Sequence, residues 1–158
     1  MFKEGDEEMA KSVRDVMTPG VRTVSPSQSL AEAAEVMKGE DVGSVPVVEE
    51  GRLAGIVTDR DIVTRAVAER RDPQAVRVAE VASHELVTVE PEQDLDETLA
   101  LMAHHQMRRL PVVEHGQLVG MLAQADVALE AKEKKVGETL EEISKPTSDG
   151  AGLAHGDL

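Results

Sequence analysis

Apolar and polar residues alternate along this chain in two rhythms, and each rhythm is written twice. In "SLAEAAEVM" the apolar Leu30, Ala33, Ala34 and Met37 recur at i, i+3, i+4 and i+7, the spacing of one face of a helix. Ser29 precedes this face as an N-cap and Glu32 follows three residues later, so the helix opens on a capping box; Asp94 and Glu97 repeat the device further along. Next come "SVPVVEEGRLAGIVT" and "RLPVVEHGQLVGMLA", where two short β-branched runs flank a polar turn at Gly51 or Gly116, the pattern of a hairpin. A second helix is predicted after each hairpin, beginning near Thr58 or Ala123. Ahead of the first helices, "VRTVSP" and "LVTVEP" read as short strands ended by Pro26 and Pro91, so each unit reads β-α-β-β-α.

The two units superimpose without insertion or deletion at a shift of sixty-five positions. Val13 falls on Val78, Val24 on Val89, Pro26 on Pro91, Met37 on Met102, Pro46 on Pro111, Gly55 on Gly120 and Asp61 on Asp126. Apolar positions, prolines and glycines in one phase indicate a duplicated supersecondary unit, each copy offering an apolar face for the other to cover. The fold class is therefore α/β, with an acidic tail over 1–12, a first repeat over 13–68, a polar linker over 69–77 and a second repeat over 78–131. Residues 132–158 are expected to form a short amphipathic helix through Val136, Leu140 and Ile143, then a polar tail after Pro146. Packing on its own module and docking to a partner are both open readings of that helix.

Composition narrows the chemistry. At 158 residues either half alone would be marginal, which favours two halves sharing a core. The formal charge of -14 is spread along the chain and argues against a nucleic-acid footprint or an anionic membrane surface. No apolar run approaches the length of a spanning helix, and "MFKEGDEEMAKS" is acidic where a signal peptide would be basic; a cytoplasmic protein is expected. The absence of cysteine removes disulfides, thiol nucleophiles and Cys-based zinc sites. Phe2 is the single aromatic residue, so no platform exists for stacking bases. His84, His104, His105, His115 and His155 invite a metal reading, but adjacent His104 and His105 diverge by about 100° on a helix, and no metal site is assigned. No nucleophile triad and no phosphate-cradling glycine loop occurs, so no catalytic residue is assigned and an enzyme is not expected.

The duplicated pattern "VRDVM…TVSP…VGSVPVVEEGRLAGIVTDRDI" and its partner resemble a tandem pair of CBS domains, the cystathionine β-synthase type of regulatory unit known in pairs as a Bateman module. The resemblance runs from about Val13 to Ala128. It implies two repeats packed about a pseudo-twofold axis, pairing into disc-shaped dimers, with adenosine-containing ligands in the clefts between the units. No cofactor is required by such a module; the implied regulatory ligand is an adenine nucleotide (AMP, ADP or ATP), and the implied partners are a second copy and an unidentified regulated protein. A structural or stress-associated interaction protein that keeps the fold and binds no nucleotide is the alternative.

Where the two copies differ, the resemblance becomes specific to this chain. Thr58 and Asp59 of "GIVTDRDI" become Ala123 and Gln124 in "GMLAQADV", while Asp61 survives as Asp126. A threonine at a helix start can cap the helix and also touch an anion, and a carboxylate in the same turn suits a vicinal diol. A capping device alone is the plainer reading of Thr58 and Asp61. By resemblance, Asp61 takes the ribose hydroxyls, Thr58 lies near the phosphate, and Arg108 and Arg109 contact that phosphate from the other unit; surface salt bridging is their alternative role. Backbone groups of Val87 and Thr88 would read the base, with apolar packing from Leu110. A weaker second site would combine Thr23, Gly43, Ser44 and Asp126, without the capping hydroxyl or the arginines.

Overall fold

The computed structural model describes residues 11–133. The segment carrying Val136, Leu140 and Ile143, together with His155 and most of the acidic N-terminal tail, lies outside the described residues. In chain order the elements are α1 (Val13–Val16), α2 (Leu30–Glu40), β1 (Ser44–Glu49), β2 (Arg52–Thr58), α3 (Asp59–Ile62) running into a π-helical turn (Val63–Val67), α4 (Val78–Val81), α5 (Leu95–His105), β3 (Arg109–Glu114) and β4 (Gln117–Ala123). Residues 124–133 are helical and form α6.

The capping box on α2 forms, the Glu32 N–H donating to Ser29 Oγ at 3.1 Å and the Ser29 N–H to Glu32 Oε1 at 3.0 Å. At α5 the Asp94 carboxylate accepts from the Glu97 N–H at 3.1 Å. Each hairpin turns on two residues with positive φ, Glu50–Gly51 and His115–Gly116, the backbone that matches the twist of tightly joined strands. The register slips between Val47 and Val48 and again between Val112 and Val113, a bulge kept in both copies. The hairpins join tip to tip through Arg52 and Gln117, giving one four-stranded sheet of order β1-β2-β4-β3.

The two stretches predicted as leading strands are each reduced to one parallel bridge, Val24 with Val47 and Val89 with Val112. Proline two residues on explains the brevity, because it has no N–H to extend a ladder. Its carbonyl is nevertheless used across the molecule. Pro91 O accepts from the Arg14 N–H at 2.8 Å, and Pro26 O accepts from the Ala79 N–H at 3.0 Å.

Those bonds mark a crossover of the cores. The second unit's core of Val89, Leu95, Met102, Leu110, Val112, Leu122 and Val127 also contains Val13 from α1. The first unit's core contains Val76, Val78, Val81 and Ala82, from the segment that opens the second repeat. Val76 thus lies buried in a stretch that reads as polar linker. Each opening segment also runs antiparallel to the other unit's hairpin: Thr18 exchanges two backbone bonds with Met121, and Ser83 exchanges two with Ile56. Ion pairs hold the outside of both crossovers. Arg14 bridges Glu92 and Glu114 at 3.0 Å each, which raises its pKa, chiefly through Glu92. Glu80 accepts from the Arg77 N–H and pairs with Arg71, and these contacts, the backbone bond foremost, lower its pKa.

Candidate functional site

At the end of β2 the chain turns directly into α3, and Thr58 is the hinge. Its backbone is extended, φ -117 and ψ 163, while the next residue is helical. Thr58 Oγ1 accepts from the Asp61 N–H at 3.0 Å and Asp61 Oδ2 accepts from the Thr58 N–H at 3.0 Å. The capping reading of this pair is therefore realised as a reciprocal box. It leaves the Thr58 hydroxyl its proton to donate and Asp61 its Oδ1 to accept.

Thr58 lines a cleft of about 780 Å³ between the two units. The first unit supplies Gly43, Ser44, Ile56, Thr58 and Asp59. The second supplies Arg108 and Arg109 at the start of β3, Gln106 and Met107 before them, Leu99 of α5, and Ala123, Gln124, Ala125 and Ala128 where β4 passes into α6. Matching backbone bonds frame it: the Asp59 N–H donates to Gly43 O at 2.9 Å, and the Gln124 N–H donates to Arg108 O at 2.7 Å. The frame is symmetric while the side chains are not. One side carries two arginines and two amides; the other carries a threonine, a serine and a carboxylate.

Arg108 and Arg109 are exposed and enter no salt bridge among the described residues. The Ser44 hydroxyl is buried in the cleft wall with no hydrogen-bond partner among the described residues. A buried hydroxyl left unpaired costs free energy on the order of 1–3 kcal/mol, which a polar group entering the cleft would offset.

The structure brings together some of the residues expected from sequence and separates others. Thr58, Arg108 and Arg109 share the cleft as expected. Gly43 and Ser44, assigned to a second, weaker site, line this same cleft, because β1 begins beside the end of β2 where Ser44 pairs with Thr58. Leu110 is 0% exposed, belongs to the second unit's core and is not among the residues that line the cleft. Val87 packs on that core and Thr88 is exposed, and neither lines the cleft. Thr23 and Asp126 are exposed and also lie off it, as does the Asp61 side chain, which is turned back to its cap. Asp59 and Gln124 line the cleft without having been assigned to it. The signal was present, since they are the second position at which the repeat breaks between Thr58-Asp59 and Ala123-Gln124.

Among the described residues no group of three or more His, Cys, Asp or Glu side chains is arranged to hold a metal ion. The His104 and His105 rings meet edge to face at 4.9 Å, and His84 Nδ1 lies 3.2 Å from Ala54 O. No helix among the described residues is long and apolar enough to cross a membrane.

A duplicated α/β unit whose copies exchange their opening segments and face each other across a cleft defines a two-repeat module. The chain belongs to the CBS-domain family, whose model matches residues 13–68 and 78–133; such pairs are regulatory modules. The CBS domain-containing protein YhcV of Bacillus subtilis is 48% identical over 134 residues, covering 84% of this chain and 95% of its own. Among solved structures, Hypoxic Response Protein I, determined with two coordinated zinc ions, matches at a TM-score of 0.70 and 36% identity over 75% of this chain and 98% of its own. CBSX2, determined in complex with AMP, matches at 0.69 and 27% identity over 79% and 98%.

Proposed function

We propose that this protein is a sensor module that takes an adenine nucleotide in the cleft between its two repeats and passes the ligand state to a partner protein in the cytoplasm. The observation that carries the reading is the convergence of Thr58 from one unit with Arg108 and Arg109 from the other on one cleft that also holds the unpartnered Ser44 hydroxyl. Two guanidiniums without an ion pair among the described residues suit a phosphate, and charge-assisted bonds to it offset the repulsion of a chain carrying -14. Asp61 stands off the lining residues, so for its spare Oδ1 to accept from the ribose hydroxyls the ribose extends past Thr58 toward the start of α3. The AMP complex of CBSX2 supports the choice of ligand class.

Calorimetry with AMP and with adenosine tests the assignment. Arg109→Ala and Asp61→Ala should each weaken AMP binding by about ten- to a hundredfold, while Asp126→Ala should leave it near the unmutated value. Arg109→Ala should affect adenosine far less, since adenosine has no phosphate to lose. If millimolar AMP, ADP and ATP give no heat and no rise in melting temperature with the unmutated chain, the nucleotide reading fails. The protein would then be an interaction module that keeps the fold alone.

A further inference from the structure

Asp59 puts a negative charge into a cleft otherwise equipped for an anion, and the fold makes room for it deliberately at one position. A Cβ built on Gly43 would sit 3.0 Å from Asp59 Oδ2 and 3.3 Å from its Cγ, so the carboxylate lies directly against the space that residue 43 leaves open, and any side chain there would push it aside. The duplicated frame sharpens the contrast. The backbone bond from Asp59 to Gly43 recurs from Gln124 to Arg108, but there the acid is replaced by an amide and the glycine by an arginine. The cleft is thus polarised, with Arg108 and Arg109 contributed by one unit and Asp59 by the other.

We propose that Asp59 is a specificity determinant that sets the phosphate count, making the cleft selective for a nucleoside monophosphate over the di- and triphosphate. The inference rests on the nucleotide reading above. The two arginines balance the charge of about two on a single phosphate group. Each further phosphate adds charge with no additional cation among the described residues that line the cleft, which already holds the Asp59 carboxylate. Because Asp59 is exposed, solvent and salt screen the repulsion, and the discrimination it supplies is of the order of two- to threefold for each added phosphate.

The test is titration calorimetry of the full chain with AMP, ADP and ATP in magnesium-free buffer, comparing the unmutated protein with Asp59→Asn. Asparagine keeps the shape and removes the charge, and a thermal melt of the variant verifies that it folds. The expected result is tighter binding of AMP than ATP by the unmutated chain. In the variant the ratio of the ATP to the AMP Kd should fall by roughly five- to tenfold, mainly through tighter ATP binding, and the effect should shrink as salt is raised. An unchanged ratio overturns the inference and leaves the nucleotide reading standing. So does an equal loss for all three ligands, which would make Asp59 a contact to the nucleoside they share. No binding of any nucleotide by the unmutated protein overturns both.

Discussion

The same Gly→Ala change should move stability in opposite directions at two positions. Gly55 lies in β2 where Ser83 crosses, and an added Cβ would stand 2.8 Å from Ser83 O and 3.4 Å from His84 Nδ1. That carbonyl belongs to a backbone held by two bonds, Ile56 N–H to Ser83 O at 3.1 Å and Ser83 N–H to Ile56 O at 2.8 Å. Relief of the clash must stretch both. Overpacking of this kind costs about 1–3 kcal/mol, and alanine returns about 0.4–1 kcal/mol by restricting the unfolded chain, leaving a net loss near 1–2 kcal/mol. Gly39, inside α2, has nothing within 4 Å of an added Cβ, so Gly39→Ala should gain about 0.5–1 kcal/mol from helix propensity. Urea unfolding followed by far-ultraviolet circular dichroism measures both, and each kcal/mol should appear as roughly 2–4 °C in Tm for a chain of this size. A Gly55→Ala variant within 0.5 kcal/mol of the unmutated protein, or shifted the same way as Gly39→Ala, would refute the close-approach argument.

Thr58→Ala deletes the hydroxyl that caps α3 and should lower stability by about 1 kcal/mol, read by the same unfolding curves; a loss of binding with no loss of stability would mean the cap contributes nothing. Self-association is expected through the helices that follow the hairpins, where Val63, Val67 and Leu129 are each more than half exposed. Light scattering at micromolar concentration should return a dimer mass that Val63→Glu with Val67→Glu reduces to the monomer, and a monomer mass for the unmutated chain across that range would refute the surface assignment.

How far the sequence reaches depends on whether a feature is local. Ser29 and Glu32 meet across a single turn, and Glu50–Gly51 reverses the chain within two residues, so spacing alone reveals both. The period that aligns Gly55 with Gly120 reveals the duplication, but it does not reveal why the glycines recur. The reason is a partner far away in sequence, Ser83 O for Gly55 and Thr18 O for Gly120, each belonging to a segment that opens one repeat and packs on the other. For the same reason Val76 reads as linker and is buried. The cleft obeys the same rule. Arg108 and Arg109 stand out locally as a basic pair, and Thr58 as a cap, but the merging of Gly43 and Ser44 into their cleft follows from strand pairing between Ser44 and Thr58. A repeat break is the one local trace that such a long-range site leaves. Core positions are held mainly to apolar character rather than identity, as Val45 against Leu110 and Val57 against Leu122 show, whereas residues that face a shared cleft from opposite units are free to differ in charge. Several of the breaks that change charge or hydrogen-bonding character, 58 against 123, 59 against 124, and 43 and 44 against 108 and 109, fall on the two sides of that cleft.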